Sequence, residues 1–144
     1  MFLKCHKMLL LCSLLAALSA CAGPSGPTNV RVDVGAIDDY QILLDKNSAV
    51  AGQVTFKIFN SSTILIHEFV VLKTDLAVGE LPLTAENNID EDFLLANLVG
   101  KEVEDIAPGE SAELTVELIV GKYILICNLP GHYLQGMRAE FTVK

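Results

Sequence analysis

Positive charge is scarce in this 144-residue sequence: 10 Lys and Arg stand against 18 Asp and Glu, a formal net charge of −8. Such an acidic balance repels phosphate and excludes nucleic acid as a partner. No long helical periodicity runs through the chain, which argues against an α-helical fold, and no internal repeat appears. The longest apolar run near the start, Met8 to Leu18, has eleven residues and is too short to cross a bilayer as a permanent helix. Cysteine, histidine and methionine are few, at four, three and three. Which of them survive maturation decides the chemistry.

Residues 1–20, "MFLKCHKMLLLCSLLAALSA", are laid out as a secretory signal, with Lys4 and Lys7 ahead of the apolar run. The run ends in Leu18-Ser19-Ala20-Cys21, which resembles a bacterial lipobox, so Cys21 is expected to carry lipid and become the mature N-terminus. The rival reading is plain cleavage after Ala22, because Ala20-Cys21-Ala22 also fits an A-x-A site. The next residues, "AGPSGPTN", are too polar and too broken to pack. Residues 21–29 therefore read as a flexible tether, and residues 30–144 as one domain. About 115 residues suffice for a single core, with no room for two. Several acyl chains on Cys21 would hold the protein to the outer side of a membrane without spanning it.

Without residues 1–20, eight basic residues face the 18 acidic ones and the net charge is −10. Two histidines, His67 and His132, remain, together with one methionine, Met137, and one internal cysteine, Cys127. A structural disulfide is then excluded, although an exported protein could hold one. A free thiol in an oxidising space is a liability unless it is buried or bound.

Short β-type runs recur between turn signals: Asn29–Ala36, Tyr40–Asp45, Val54–Asn60, Ile64–Lys73, Ser111–Leu118, Gly121–Asn128 and Met137–Lys144. Most alternate apolar with polar residues. Ile64–Lys73 is apolar on both faces apart from His67 and Glu68, and so reads as a central strand. The expected fold is an all-β, antiparallel-rich Greek-key sandwich of about seven to eight strands. Thr74 to Asp105 breaks the pattern, with nine Asp or Glu against one Lys. It reads as a solvated connection rather than a docking surface for a basic partner. Glu91–Val99 within it suits a short helix capped by Asp90.

Three of the four chemistry-bearing residues share one stretch, "CNLPGHYLQGM", with four residues between Cys127 and His132 and four between His132 and Met137. Cys127 ends a strand, Pro130-Gly131 turns the chain back toward it, and Gly136 lets the chain return at Met137. His67 shares a strand face with Phe69 and Val71, and so points into packed protein. Two imidazoles and a thiolate with a weak thioether suit copper. Zinc takes methionine poorly, and its structural sites use more thiolates. A binuclear copper site needs a second loop cysteine, and a trinuclear cluster needs more histidines. A Cys127–His132 nucleophile pair leaves Met137 and His67 unused, so no enzyme is expected. A copper carrier or resistance protein is the main alternative, and the lack of a Met-rich segment argues against it.

From Asn29 to Lys144, most strongly in "NSSTILIHEFVVLKTD" and "GKYILICNLPGHYLQGMRAEFTV", the chain resembles the cupredoxins, the small type 1 (blue) copper proteins related to plastocyanin and azurin. The two four-residue gaps look more like rusticyanin or sulfocyanin than plastocyanin. The resemblance implies one copper ion, with His67, Cys127 and His132 equatorial and Met137 axial. It also implies single-electron transport between redox partner proteins, with His132 as an electron port ringed by Leu129, Pro130, Tyr133 and Leu134. Glu68 and Asn128, next to two of the ligands, would tune the site. Several relatives carry Asn or Ser where Glu68 stands, and a hydrogen bond there ties the two ligand segments together. A carboxylate near copper would stabilise Cu(II) and lower the potential. Nothing in the sequence indicates oligomerisation, so a monomer is expected.

Overall fold

In the computed structural model, residues 26–36 and 39–144 are described. The signal-like segment at 1–20, Cys21 and most of the expected tether lie outside them. Among the described residues, nine strands form two mixed sheets, one of four strands and one of five. The smaller sheet has β2 (Gln41–Leu44), β1 (Thr28–Ala36), β4 (Gly52–Asn60) and β7 (Ser111–Leu118) in that order. The larger has β3 (Ser48–Ala49), β9 (Arg138–Val143), β8 (Gly121–Ile126), β5 (His67–Lys73) and β6 (Val103–Ile106).

Alternation explains the layering. Val30, Val32 and Val34 of β1 and Val54, Phe56 and Ile58 of β4 face inward, where they meet Phe69 and Val71 of β5 and Phe141 of β9. Phe56 is the centre of this core, with its ring 5.3 Å from Phe69 and 5.4 Å from Phe141, a spacing that favours edge-on aromatic contact. The outer face of the larger sheet has its own apolar layer. Val70, Leu72, Ile124 and Ile126 are covered there by Leu81, Ile89 and Leu94 from the acidic connection.

The expected sandwich is present, with three differences. β1 pairs with β4, and β3 with β9, in parallel, so the fold is less purely antiparallel than its short strands imply. Two strands were not legible. β3 is two residues long, and β6 lies in an acidic stretch where only Ile106 is buried. β1 begins at Thr28, one residue before the expected Asn29, because Thr28 and Asn29 pair with Val54 and Thr55. The helix in the connection, α1, spans Glu91–Asn97, and Asp90 caps it by accepting from the Phe93 amide at 3.0 Å.

Strand direction defines two ends. β5 begins and β8 finishes at the same end, where Val70 pairs with Ile126 and His67 with Ile106 of β6. Gly52 opposes Leu118 and Gly121 opposes Val143 at the other end.

Candidate metal centre

β5 was expected to begin at Ile64, but residues 61–66 instead form a turn. Ser62 Oγ accepts from the amides of Ile64 and Leu65 at 3.2 and 2.9 Å. Asn60, fully buried at the end of β4, anchors that turn. Its side-chain amide donates to Leu65 O and Ile106 O, both at 2.8 Å, and its Oδ1 accepts from the Ser62 amide at 2.9 Å. The chain therefore enters β5 in a defined direction and His67 is fully buried. Gly35 (φ +86°) passes directly over it, and a Cβ there would lie 2.8 Å from His67 Nε2. Only glycine permits so close an approach at that backbone angle.

The second ligand segment follows β8. Cys127 and Met137 lie one residue beyond the ends of β8 and β9, and the Cys127 amide donates to Met137 O at 3.1 Å. Between them is a feature the sequence did not reveal. His132–Gln135 forms a short helix, α2, between Gly131 (φ 79°) and Gly136 (φ 118°), both left-handed. The Met137 amide donates to His132 O at 3.1 Å, which closes the loop on itself. Cys127 and Met137 are fully buried, and His132 is partly exposed.

These segments converge. His67 Nδ1 lies 3.3 Å from His132 Nδ1, and Cys127 Sγ lies 3.4 Å from His132 Nδ1. The donor atoms of all three residues fall within 4.8 Å of one another. The Tyr40 ring stands edge-on to His132 with centroids 5.2 Å apart. The Glu68 amide donates to Cys127 Sγ at 3.3 Å. The bond that ties the two ligand segments therefore comes from backbone, and an Asn or Ser side chain is not needed for it.

Burial keeps the donors uncharged. It lowers His67 to about 4, helped by the neighbouring His132 and opposed by Asp39, and it lowers His132 as well. Burial raises Cys127 to about 11, although the amides of Glu68 and Leu129 oppose the rise. Two neutral imidazoles and a thiol that share one point fit a single soft or borderline cation, which would supply the charge that ionises the thiol. Glu68 is half-buried, and burial with Glu102, Glu104 and Asp105 raises its carboxyl to about 7. Asn128 serves as a strut: its Oδ1 accepts from the Ile89 amide at 2.9 Å, tying the loop to the acidic connection.

One member of the expected port is corrected. Tyr133 is 1% exposed, and its hydroxyl donates to Val78 O at 2.8 Å and accepts from the Leu81 amide at 3.2 Å. On a helix the residue after His132 turns about 100° away, so Tyr133 packs under the connection with Arg138 over its ring. Pro130 and Leu134 are exposed and Leu129 is half-buried. Ile64 and Ile66 add exposed apolar surface on the segment leading into His67. Gly35, Asn60 and Tyr40 escaped sequence reading because each is distant in sequence from the residue it supports.

No sequence-family profile and no curated protein matches this chain. Solved structures do. A dithionite-reduced auracyanin from Roseiflexus castenholzii is 22% identical, with a TM-score of 0.58 over 83% of this chain and 99% of that one. Auracyanin A of Chloroflexus aurantiacus, a "blue" copper protein, is 21% identical, with a TM-score of 0.58 over 83% and 100%. Rusticyanin of Thiobacillus ferrooxidans is 20% identical, with a TM-score of 0.60 over 83% and 79%. The fold shared with them is the cupredoxin sandwich.

Proposed function

We propose that this chain is an exported type 1 copper protein that carries single electrons between redox partner proteins, anchored to a membrane surface by lipid on Cys21. The observation that carries the reading is the meeting of Cys127 Sγ with two imidazole Nδ1 atoms within 4.8 Å, on a fold shared with a "blue" copper protein.

Cys127, His67 and His132 would hold the ion, with Met137 as the weak fourth ligand. Copper so held supplies one-electron chemistry and an intense colour from thiolate charge transfer. The residues prepare for it in distinct ways. His67 and His132 are neutral at neutral pH and offer their lone pairs without first losing a proton. Cys127 gives up its proton on binding, so uptake of the metal releases acid. The Glu68 amide holds Sγ in place, and the core beneath Phe69 and Met137 keeps the donors from moving apart. His132 is the one of these donors that reaches the surface, so its ring, beside exposed Pro130 and Leu134, would be the path for electrons to and from a bound copper.

Copper loading of the purified protein tests this. The oxidised protein is expected to be intensely blue and to bleach reversibly on reduction, and Cys127→Ser to be colourless. A wild-type protein that stays colourless while retaining Cu(I) would replace the electron carrier with a copper carrier.

A further inference from the structure

We infer that the end of the sandwich opposite the metal centre is a lipid-facing surface that holds the metal end away from the bilayer. The inference rests on the reading that Cys21 carries the anchor. Three observations place the surface.

The first is where the chain enters. β1 starts at Thr28, which pairs with Val54 near the start of β4. That is the end where Gly52 opposes Leu118, away from His67 and Cys127. Cys21 precedes Thr28 by seven residues, which reach at most about 25 Å when fully extended. β1 itself runs nine residues from that end toward the metal, about 30 Å. A lipid on Cys21 therefore draws the distal end to the bilayer first.

The second is apolar exposure. Ile119 and Val120, in the turn joining β7 to β8, are 63% and 66% exposed, and Val50, just before β4, is 59% exposed. Register brings these turns together. The Ala51 amide donates to Lys144 O, and the neighbouring Val143 opposes Gly121. Scattered apolar residues are ordinary on protein surfaces, but these three share one tip.

The third is charge. Exposed Lys46, Lys73, Lys122 and Lys144 lie at this end, half of the eight basic residues that follow Cys21. Asp45, which accepts from the Arg31 amide beside Lys46, and Asp75 and Glu117 are the acidic residues toward this end, whereas Glu68, Glu102, Glu104 and Asp105 lie toward the metal end. An apolar tip ringed by lysines in an otherwise acidic protein suits an anionic bilayer surface, where the apolar side chains enter the interface and the ammonium groups stay among headgroups.

The chain has no tryptophan, so one indole can report on each end. Full-length Val120→Trp and Leu134→Trp proteins, produced in a lipoprotein-processing host and freed of metal, are reconstituted in vesicles of phosphatidylcholine and phosphatidylglycerol with brominated acyl chains. The indole of V120W is expected to shift to the blue and lose most of its emission, and that of L134W to do neither. Adding Lys122→Gln and Lys144→Gln should weaken the V120W quenching in these vesicles and leave it unchanged in phosphatidylcholine alone. Vesicle-bound protein with V120W unquenched, or with both indoles quenched alike, overturns the inference. Intact mass separates the two readings. If Cys21 carries no acyl chain, the anchor reading fails. The same variants are then tethered through an N-terminal oligohistidine to nickel-chelating lipid, where an unquenched V120W still overturns the tip.

Discussion

Gly35 offers no side chain, yet it sets where His67 stands. An added methyl would meet Nε2 at 2.8 Å on a backbone with φ +86°. Gly35→Ala is expected to cost about 1 kcal/mol or more in backbone strain, and also to displace the imidazole. Weaker copper retention and an altered visible spectrum would show this, and a variant indistinguishable from wild type would mean that the ring moves freely. As the proposed fourth donor, Met137 would act at the same scale by softness. A weak thioether favours Cu(I), and an amide oxygen favours Cu(II). Met137→Gln should therefore stay coloured with a lowered reduction potential. If spectrum and potential both stay unaltered, Met137 is not a ligand. His67 was legible as a buried site residue because it is one of two histidines after residue 20 and stands on an apolar strand. Tyr133 was not, because nothing in "HYLQ" announces the single helical turn that swings it inward.

Turns and strand ends set the donors apart or together. The turn at residues 61–66 depends on Asn60, which satisfies two buried carbonyls from different elements, Leu65 O and Ile106 O. Asn60→Ala leaves both unpaired, at a cost of roughly 2–4 kcal/mol. It should loosen the entry to β5 as well as lower the unfolding midpoint. Chemical denaturation together with copper affinity checks both, and a stability loss with unchanged affinity would confine Asn60 to the fold. Alternation made the long strands readable, down to the bounds of β7. β3 and β6 were unreadable because they exist through their partners: β3 through Thr142 and Val143, β6 through His67 and Phe69.

For the whole molecule, the buried donors make the metal-free protein sensitive to pH. A folded Cys127 thiol at about 11, against an ordinary 9.0, keeps its proton where the unfolded chain has lost it. Stability is therefore full below pH 9 and falls as pH rises toward 11, by up to about 3 kcal/mol. Tyr123, also raised by burial, adds to the fall from a higher starting point. Thermal melts of the metal-free protein should show the drop, and Cys127→Ser should remove most of it. The acid side is less clean. His67, lowered to about 4, loses stability as pH falls through 6.5, whereas Glu68, raised to about 7, gains it between 7 and 4.5.

By itself the sequence determined the kinds of donor, their spacing in the final loop and the strands that flank them. Side-chain alternation and turn residues are local properties, written within a few positions of where they act. Only the tertiary structure decided that His67 meets the loop, that a backbone amide reaches the thiol, that Gly35 passes over the imidazole while Asn60 fixes the turn before it, and that lysines and apolar tips gather opposite the metal. Those depend on which strands pair and in what direction. Pairing is a contest among all segments for the same core, and no single segment carries its outcome.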